Sequence, residues 1–372
     1  MSTVSYKCPN CGAPLSFSPE SAQVNCDFCR SHFTVEEVEA FNARGREAAT
    51  AREAERRQRQ MGGEGTEQSA EQGPSSSEKA RMRSYHCQSC GAEVVTDDTT
   101  AATSCYYCHN PIILEDRVSG EFQPQFILPF KISREEAEKK LLSWAGKKTY
   151  VPRAFTSRSQ LEKLTGIYLP FWLAEGTVEL DLQGQGEISE SRRFSNEERI
   201  TTSVYRFSRQ GEVKLPNMLE MAYLKSDKVD PELVESVARY QLEELKPFAL
   251  PYLSGFFAET RTVNEDEVRA RFEQRMEAYG TEIARQSMDR FDKVRLDRDE
   301  HVSQVDKPLT VLLPVWIMTY KFVGKTYVYA LNGQTGEAFG ELPLDQKKLG
   351  LSSLGIGLLV VILLLLLLYY FF

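Results

Sequence analysis

CPNCGAPLSFSPESAQVNCDFC (8–29) and CQSCGAEVVTDDTTAATSCYYC (87–108) repeat one spacing, C-x2-C-x14-C-x2-C, and together hold all eight cysteines of the 372-residue chain. Two residues between cysteines let one tight turn aim both thiolates at one ion while its backbone N–H groups stabilise the sulfur charge. Two such turns make a tetrahedral site. The spacing therefore predicts two zinc ribbons, one closed by Cys8, Cys11, Cys26 and Cys29, the other by Cys87, Cys90, Cys105 and Cys108. Gly12 and Gly91 each follow the second cysteine of a first pair, where positive φ closes the turn without a Cβ clash. Four thiolates leave the ion no open position, so its part is structural: it supplies roughly 10–16 kcal/mol of folding energy to a unit too small for a proper core. Rubredoxin-like iron is the chemical alternative, and a thioredoxin-type redox pair would need a βαβ setting without a second pair nearby. His86 and His109 adjoin ligand cysteines and are expected as solvated neighbours rather than ligands.

Local charge bears on what such ribbons touch. Residues 1–40 set Lys7 and Arg30 against Glu20, Asp27, Glu36, Glu37 and Glu39, and residues 81–120 set Arg81, Arg83 and Arg117 against Glu93, Asp97, Asp98, Glu115 and Asp116. Neither ribbon neutralises phosphates well, and the whole chain carries a formal charge of −8, so nucleic acid is a disfavoured partner and protein partners suit these surfaces better. Phe28, Tyr106 and Tyr107 offer rings for base stacking, but small ribbons need such aromatics for their own cores, which is the expectation here.

The stretch LGLSSLGIGLLVVILLLLLLYYFF (349–372) holds no charged side chain. As a helix at about 1.5 Å per residue it spans roughly 36 Å, enough to cross a hydrocarbon core of about 30 Å. Lys347 and Lys348 precede it and the Tyr369–Phe372 aromatics suit the far interface, so the positive-inside rule puts the body in the cytoplasm. The N-terminal MSTVSYKCPN lacks a basic region followed by an apolar one, so no secretory signal is expected, and the paired cysteines fit a reducing compartment. The chain reads as a tail-anchored, single-pass protein of the cytoplasmic membrane.

With 41% hydrophobic, 26% charged and 10% aromatic residues the remainder is globular, and the length allows two or three folded units. The expected organisation is zinc ribbon 1 at 1–41, a flexible linker at 42–84, zinc ribbon 2 at 85–121, an α+β region at 122–344 and the anchor at 345–372. The linker is Arg/Glu/Gln-rich and then Gly/Ser-rich, with a short solvated helix at most near Ala48–Gln60, so the two ribbons are expected to sit independently. In the α+β region, Ser133 and Glu136 form a capping-box pattern ahead of a helix ending at Gly146. Asp230-Pro231 opens a second helix carrying Leu233, Val234, Val237, Tyr240, Leu242 and Leu245. A third starts near Asn264 and places Val268, Phe272, Met276, Ile283 and Phe291 on roughly one side. Residues 311–322, 325–332 and 337–342 read as a meander turning at Val323-Gly324 and at 332–336. The segments YLPFW…GQGE (168–187) and LLPVW…GQTGE (312–337) share their start and close, which points to two related lobes unless Pro and aromatics recur by chance.

A catalytic constellation is not expected. Val323-Gly324-Lys325-Thr326 ends like a phosphate loop but has Thr319 where the first glycine is required, and Gly184 and Gly186 read as turn residues. Neither His32 nor His301 has a pattern of carboxylates or a nucleophile beside it.

The twin CPNCG/CDFC and CQSCG/CYYC ribbons, the LPFW and LPVW strand starts, the GKTYVYALNGQTGEAFG hairpin (324–340) and the apolar C-terminus together resemble a bacterial family of membrane-anchored double zinc-ribbon proteins. Its members carry loose labels, a transcription-factor-IIB-type zinc ribbon or a primosomal-helicase-like protein, and no helicase motifs accompany the ribbons here. The resemblance implies two structural zinc ions, membrane attachment and, through relatives linked to phage-shock-type membrane stress, recruitment of a peripheral coiled-coil protein. The resulting expectation is a non-enzymatic membrane adaptor that recruits protein partners; the alternative is a membrane-held zinc-ribbon protein that binds nucleic acid.

Overall fold

The computed structural model describes residues 3–60, 82–194, 197–223, 234 and 236–371. In chain order the elements are β1 (Thr3–Val4), β2 (Ser16–Ser18), β3 (Gln23–Asn25), β4 (His32–Phe33), α1 (Val35–Gln60), β5 (Arg83–His86), β6 (Glu93–Thr96), β7 (Thr100–Ser104), β8 (Pro111–Leu114), β9 (Phe126–Ile127) and α2 (Arg134–Gly146). There follow α3 (Arg158–Leu161), β10 (Thr165–Phe194), β11 (Glu197–Met221), β12 (Lys246–Pro247), β13 (Phe257–Glu259), α4 (Glu265–Ser287), β14 (Lys293–Val305), β15 (Leu309–Phe322), β16 (Lys325–Asn332), β17 (Ala338–Gly340) and α5 (Gln346–Phe371). The chain divides into two compact units: Met1–Leu169 with Lys225–Thr260 and Leu312–Phe372, and Pro170–Leu224 with Arg261–Val311.

In the first unit a mixed sheet runs β1-β8-β7-β13 to the opening residues of β10 and continues through β15, β16 and β17. The small sheets β2-β3-β4 and β5-β6 belong to the two cysteine-rich segments. The expected meander is present: β15 and β16 pair antiparallel from Val315↔Asn332 to Phe322↔Lys325. Val323 and Gly324, at φ 48° and 78°, make the two-residue turn whose twist matches the strands it joins. In the following loop the Asn332 side-chain oxygen accepts from the Gln334 and Thr335 N–H groups at 2.9 and 3.0 Å. Its amide nitrogen donates to the carbonyl of Val237 at 2.8 Å, so a fully buried amide fixes both segments. The capping box of α2 forms as read, Ser133 Oγ accepting from Glu136 N–H at 3.3 Å, and Ala137, Leu141 and Ala145 face the core.

Three expectations for this unit change. The two cysteine-rich segments do not sit independently: β1 pairs with β8 (Thr3↔Leu114, Val4↔Ile113), and Asn110 Nδ2 donates to Ser5 Oγ at 3.1 Å. The first segment also docks on the body, Phe17 N–H donating to the Ser254 carbonyl at 2.9 Å and its ring meeting Tyr252 edge-on at 5.2 Å. Of the stretch read as a linker, 42–60 continues helix α1 and 61–81 lies outside the described residues. Of the helix expected after Asp230, Val234 and Ser236 are helical and 230–233 and 235 lie outside the described residues; from Val237 the chain leaves the helix, Tyr240 is in irregular chain and only a 3-10 turn, Leu242–Glu244, follows.

The second unit is a three-stranded antiparallel sheet in the order β11-β10-β14, one face covered by α4. Asn264 caps α4, its Oδ1 accepting from Glu267 N–H at 2.8 Å. Val268, Phe272 and Met276 pack with Trp172, Ala174, Val178, Met218, Ala222, Val263 and Val305, as the helical spacing requires. The helix ends at Ser287 rather than reaching Phe291, which instead stacks on Phe207 at 5.3 Å. Gly184 and Gly186 are not turn residues. They pair within β10, opposite Leu296 and Val294, and the ring of Phe291 fills the space a Cβ on Gly186 would take.

Candidate metal centres

Each predicted cysteine set comes together. Within Cys8, Cys11, Cys26 and Cys29, and again within Cys87, Cys90, Cys105 and Cys108, the four Sγ atoms all lie within 4.8 Å of one another. The nearest pairs, Cys8–Cys29 and Cys11–Cys26, are at 3.5 Å, and Cys87–Cys108 and Cys90–Cys105 at 3.7 Å. A tetrahedron with metal–sulfur bonds of about 2.3 Å has edges of about 3.8 Å, so both sets fit an ion at their centre. All eight thiols are free of disulfides. Two four-cysteine clusters able to hold metal ions are thus built into the fold.

The local folding of the knuckles explains the spacing. In each, the N–H of the residue after the second cysteine donates to the carbonyl of the first: Gly12 to Cys8 and Gly91 to Cys87 at 2.8 Å, Arg30 to Cys26 at 2.8 Å, His109 to Cys105 at 2.9 Å. All four of these residues sit at positive φ, 74° for both glycines, 60° for Arg30 and 56° for His109. The glycines were legible from the sequence. Arg30 and His109 occupy the same position with a side chain attached, which costs about 1–2 kcal/mol per residue and persists because the surrounding turn over-determines it. His109 is therefore a turn residue, and neither it nor His86 joins the clusters.

Burial divides each knuckle in the same way: the first cysteine is buried (Cys8, Cys26, Cys87, Cys105) and the second exposed (Cys11, Cys29, Cys90, Cys108). An ion there would close the surface end of a small apolar core, Tyr85, Val94, Ile112 and Leu114 in the second segment. Ser31, which the sequence did not single out, supports the first cluster: its Oγ lies 3.2 Å from Cys29 Sγ and accepts from Asn10 Nδ2 at 2.8 Å. Hydrogen bonds from Ser31 pull the Cys29 thiol down to about 6, the direction that prepares a thiolate for a cation.

The knuckle aromatics are not core residues as expected. Phe28 is 83% exposed, Tyr106 71% and Tyr107 73%, so all three rings stand in solvent beside exposed ligand cysteines. In the second unit, the sequence also missed that Glu273 and Glu277 line a pocket together with Asp299, Glu300 and His301, with His301 Nδ1 at 3.4 Å from Asp299. Among the described residues these groups do not converge as a set of metal ligands.

Helix α5 has no buried residue, is exposed beyond Ser352, and is long and apolar enough to cross a membrane.

No family model and no solved structure matches the chain. It is 28% identical over 354 residues to the uncharacterized protein YdjG of Bacillus subtilis (strain 168), a similarity that covers 95% of this chain and 94% of that one.

Proposed function

We propose that the chain is a single-pass membrane protein whose two zinc-loaded ribbons and α+β body recruit protein partners at the cytoplasmic face of a bacterial membrane, in a membrane-stress setting. Zinc is the ion of choice because a closed, four-thiolate tetrahedron of C-x2-C knuckles suits a d10 cation without geometric preference. With every position filled by sulfur the ions act as staples, and the chemistry left to the ribbons is recognition. The observation that carries the reading is the exposure of Phe28, Tyr106 and Tyr107 on acidic ribbons, in a chain that also carries a helix fit to span a bilayer. Exposed aromatics are the usual anchors of protein interfaces, and acidic surroundings turn phosphates away.

Proximity labelling from the N-terminus in the native cell tests the reading. A defined set of proteins should appear, and Phe28→Ala with Tyr106→Ala and Tyr107→Ala should thin it. The same rings favour a second reading, stacking on single-stranded nucleic acid. Tight, steeply salt-dependent binding of DNA or RNA at low salt, with no labelled protein set that depends on the three rings, would replace the adaptor reading with that one.

A further inference from the structure

The start of α5 is not a free-standing stalk. Asp345 N–H donates to the Tyr150 carbonyl at 2.8 Å, Lys348 Nζ donates to the Val151 carbonyl at 2.7 Å, and Ser352 Oγ lies 2.9 Å from Tyr150 Oη. Asp345 also caps the helix, its Oδ1 accepting from the N–H groups of Lys347 and Lys348 at 3.1 and 3.3 Å. The loop 147–151 after α2 therefore holds the helix at the point where its apolar run begins.

That same loop forms one wall of a pocket of about 530 Å³. The opposite wall comes from β17 and the chain after it, through Ala338, Phe339, Leu342 and Leu344. Trp144, whose ring lies 5.0 Å from that of Tyr329, lines it from α2. The volume is that of a ligand site, and the lining combines aromatic and aliphatic groups with Lys147 and Lys148 and no carboxylate. The side chains of Lys147, Lys148 and Lys347 have no hydrogen bond or ion pair among the described residues. Phe339 and Leu344 stay 50% and 55% exposed, an apolar opening with a cationic rim.

We propose that the pocket framed by Trp144, Lys147, Lys148, Tyr150, Phe339 and Leu344 binds an anionic phospholipid at the base of α5. The inference rests on the membrane reading of α5 given above and adds a site to it. From Tyr150's partner Ser352 back to Asp345 the helix rises only about 10 Å, so a bilayer around α5 puts the pocket at the level of headgroups and first methylenes. The two lysines then face the phosphate, Trp144 and Tyr150 sit where amphipathic rings settle, and Phe339 and Leu344 meet the upper acyl chain instead of water. A soluble protein partner would leave the unpaired lysines without a stated counter-charge. A lipid supplies charge and hydrocarbon together, in the order in which the pocket presents them.

The full-length chain in detergent micelles, titrated with phosphatidylglycerol or phosphatidylcholine and read by native mass spectrometry, tests this. Phosphatidylglycerol should be retained preferentially, and Lys147→Gln with Lys148→Gln should weaken that retention on the order of tenfold while Lys147→Arg with Lys148→Arg keeps it. Phe339→Ser should weaken both lipids. Equal retention of the two lipids, or a Gln pair that holds phosphatidylglycerol as tightly as the unaltered chain, overturns the site. So does displacement of the lipid by millimolar inorganic phosphate, which would mark a soluble-anion site. Carbonate extraction of membranes separates the two readings: a chain that resists extraction but shows no lysine-dependent lipid loses the pocket alone, and a chain that is extracted loses the membrane reading with it.

Discussion

Trp172 and Trp316 make the same hydrogen bond: each indole Nε1–H donates to the carbonyl of the residue just before a helix cap. Trp172 reaches Val263 at 3.1 Å, ahead of Asn264 and α4, and Trp316 reaches Ile132 at 3.0 Å, ahead of Ser133 and α2. Each tryptophan follows Leu-Pro-x in a strand of its own unit, and each strand thereby fixes where a helix begins. The recurrence of LPFW and LPVW thus has a physical use, an aromatic residue with a polar handle that satisfies one carbonyl at the entry to a helix. Trp172→Phe should cost about 1–3 kcal/mol, since the buried Val263 carbonyl loses its donor, and Trp316→Phe toward the lower end of that range, since the Ile132 carbonyl is half-buried. Hydrogen exchange should rise at the first turn of α4 for the former and of α2 for the latter; a change spread evenly over the chain in either case would contradict a local device.

What the sequence could and could not reveal divides along physical lines. The two four-cysteine sets, the capping box at Ser133 and the Val323-Gly324 turn were legible because local spacing alone specifies them. The helix expected through Tyr240–Leu245 had the right apolar period, but long-range partners hold the chain there. Tyr240 Oη donates to the Pro314 carbonyl at 3.0 Å, and Gln241 N–H donates to Gln334 Oε1 at 2.8 Å. Such bonds override propensity and leave no mark in a window of neighbouring residues. The β10–β11 hairpin was under-read for the opposite reason. Residues 188–194 and 197–206 form a two-stranded ribbon, and none of the side chains described there is buried, so no alternation of apolar and polar residues announces it.

Gly186 carries a clear expectation. It lies in mid-strand under the Phe291 ring, which itself stacks on Phe207 and takes the guanidinium of Arg290 at 4.5 Å from its centre. Gly186→Ala must push that ring away, and overpacking of this kind costs roughly 1–3 kcal/mol. Urea unfolding of the chain should show the loss, and Gly211→Ala, where nothing lies within 4 Å of the added carbon, should show far less.

Coupling between the two cysteine clusters follows from β1. Cys8 and Cys26 belong to one core with Val4, Tyr6, Phe17 and Ile113, and β1 is hydrogen-bonded to β8 beside the second cluster. Cys8→Ser should therefore lower bound metal from two equivalents toward one and also raise hydrogen exchange in β8. A variant that loses one equivalent while β8 keeps its full protection would mean that the two segments fold separately after all.

Arg30 and His109 offer a test of the knuckle geometry. Both hold positive φ without being glycine, so Arg30→Gly and His109→Gly relieve strain and are expected to raise stability by up to about 1 kcal/mol. Metal content should stay at two equivalents for both. Loss of one equivalent in His109→Gly would make that imidazole a ligand and break the four-thiolate assignment of the second cluster.

Removal of residues 349–372 tests membrane attachment against the integrity of the body. The deleted stretch is the apolar part of α5, which has no buried residue, so its loss takes nothing from the cores of either unit. Asp345 keeps its bond to Tyr150 and Lys348 its bond to Val151, while the Ser352–Tyr150 contact and the helical bond from Leu349 N–H to the Asp345 carbonyl go. The shortened chain should therefore stay folded, hold two metal equivalents and remain in the supernatant when membranes are pelleted. Lys147, Lys148, Lys347 and Lys348 leave a basic patch that can still touch anionic lipid weakly, so the pelleting is done at high salt, where such attraction is screened. Sedimentation of the truncated chain under those conditions would mean that another surface holds the protein to the bilayer. Soluble but metal-free material would instead show that α5 supports the fold, contrary to its exposure.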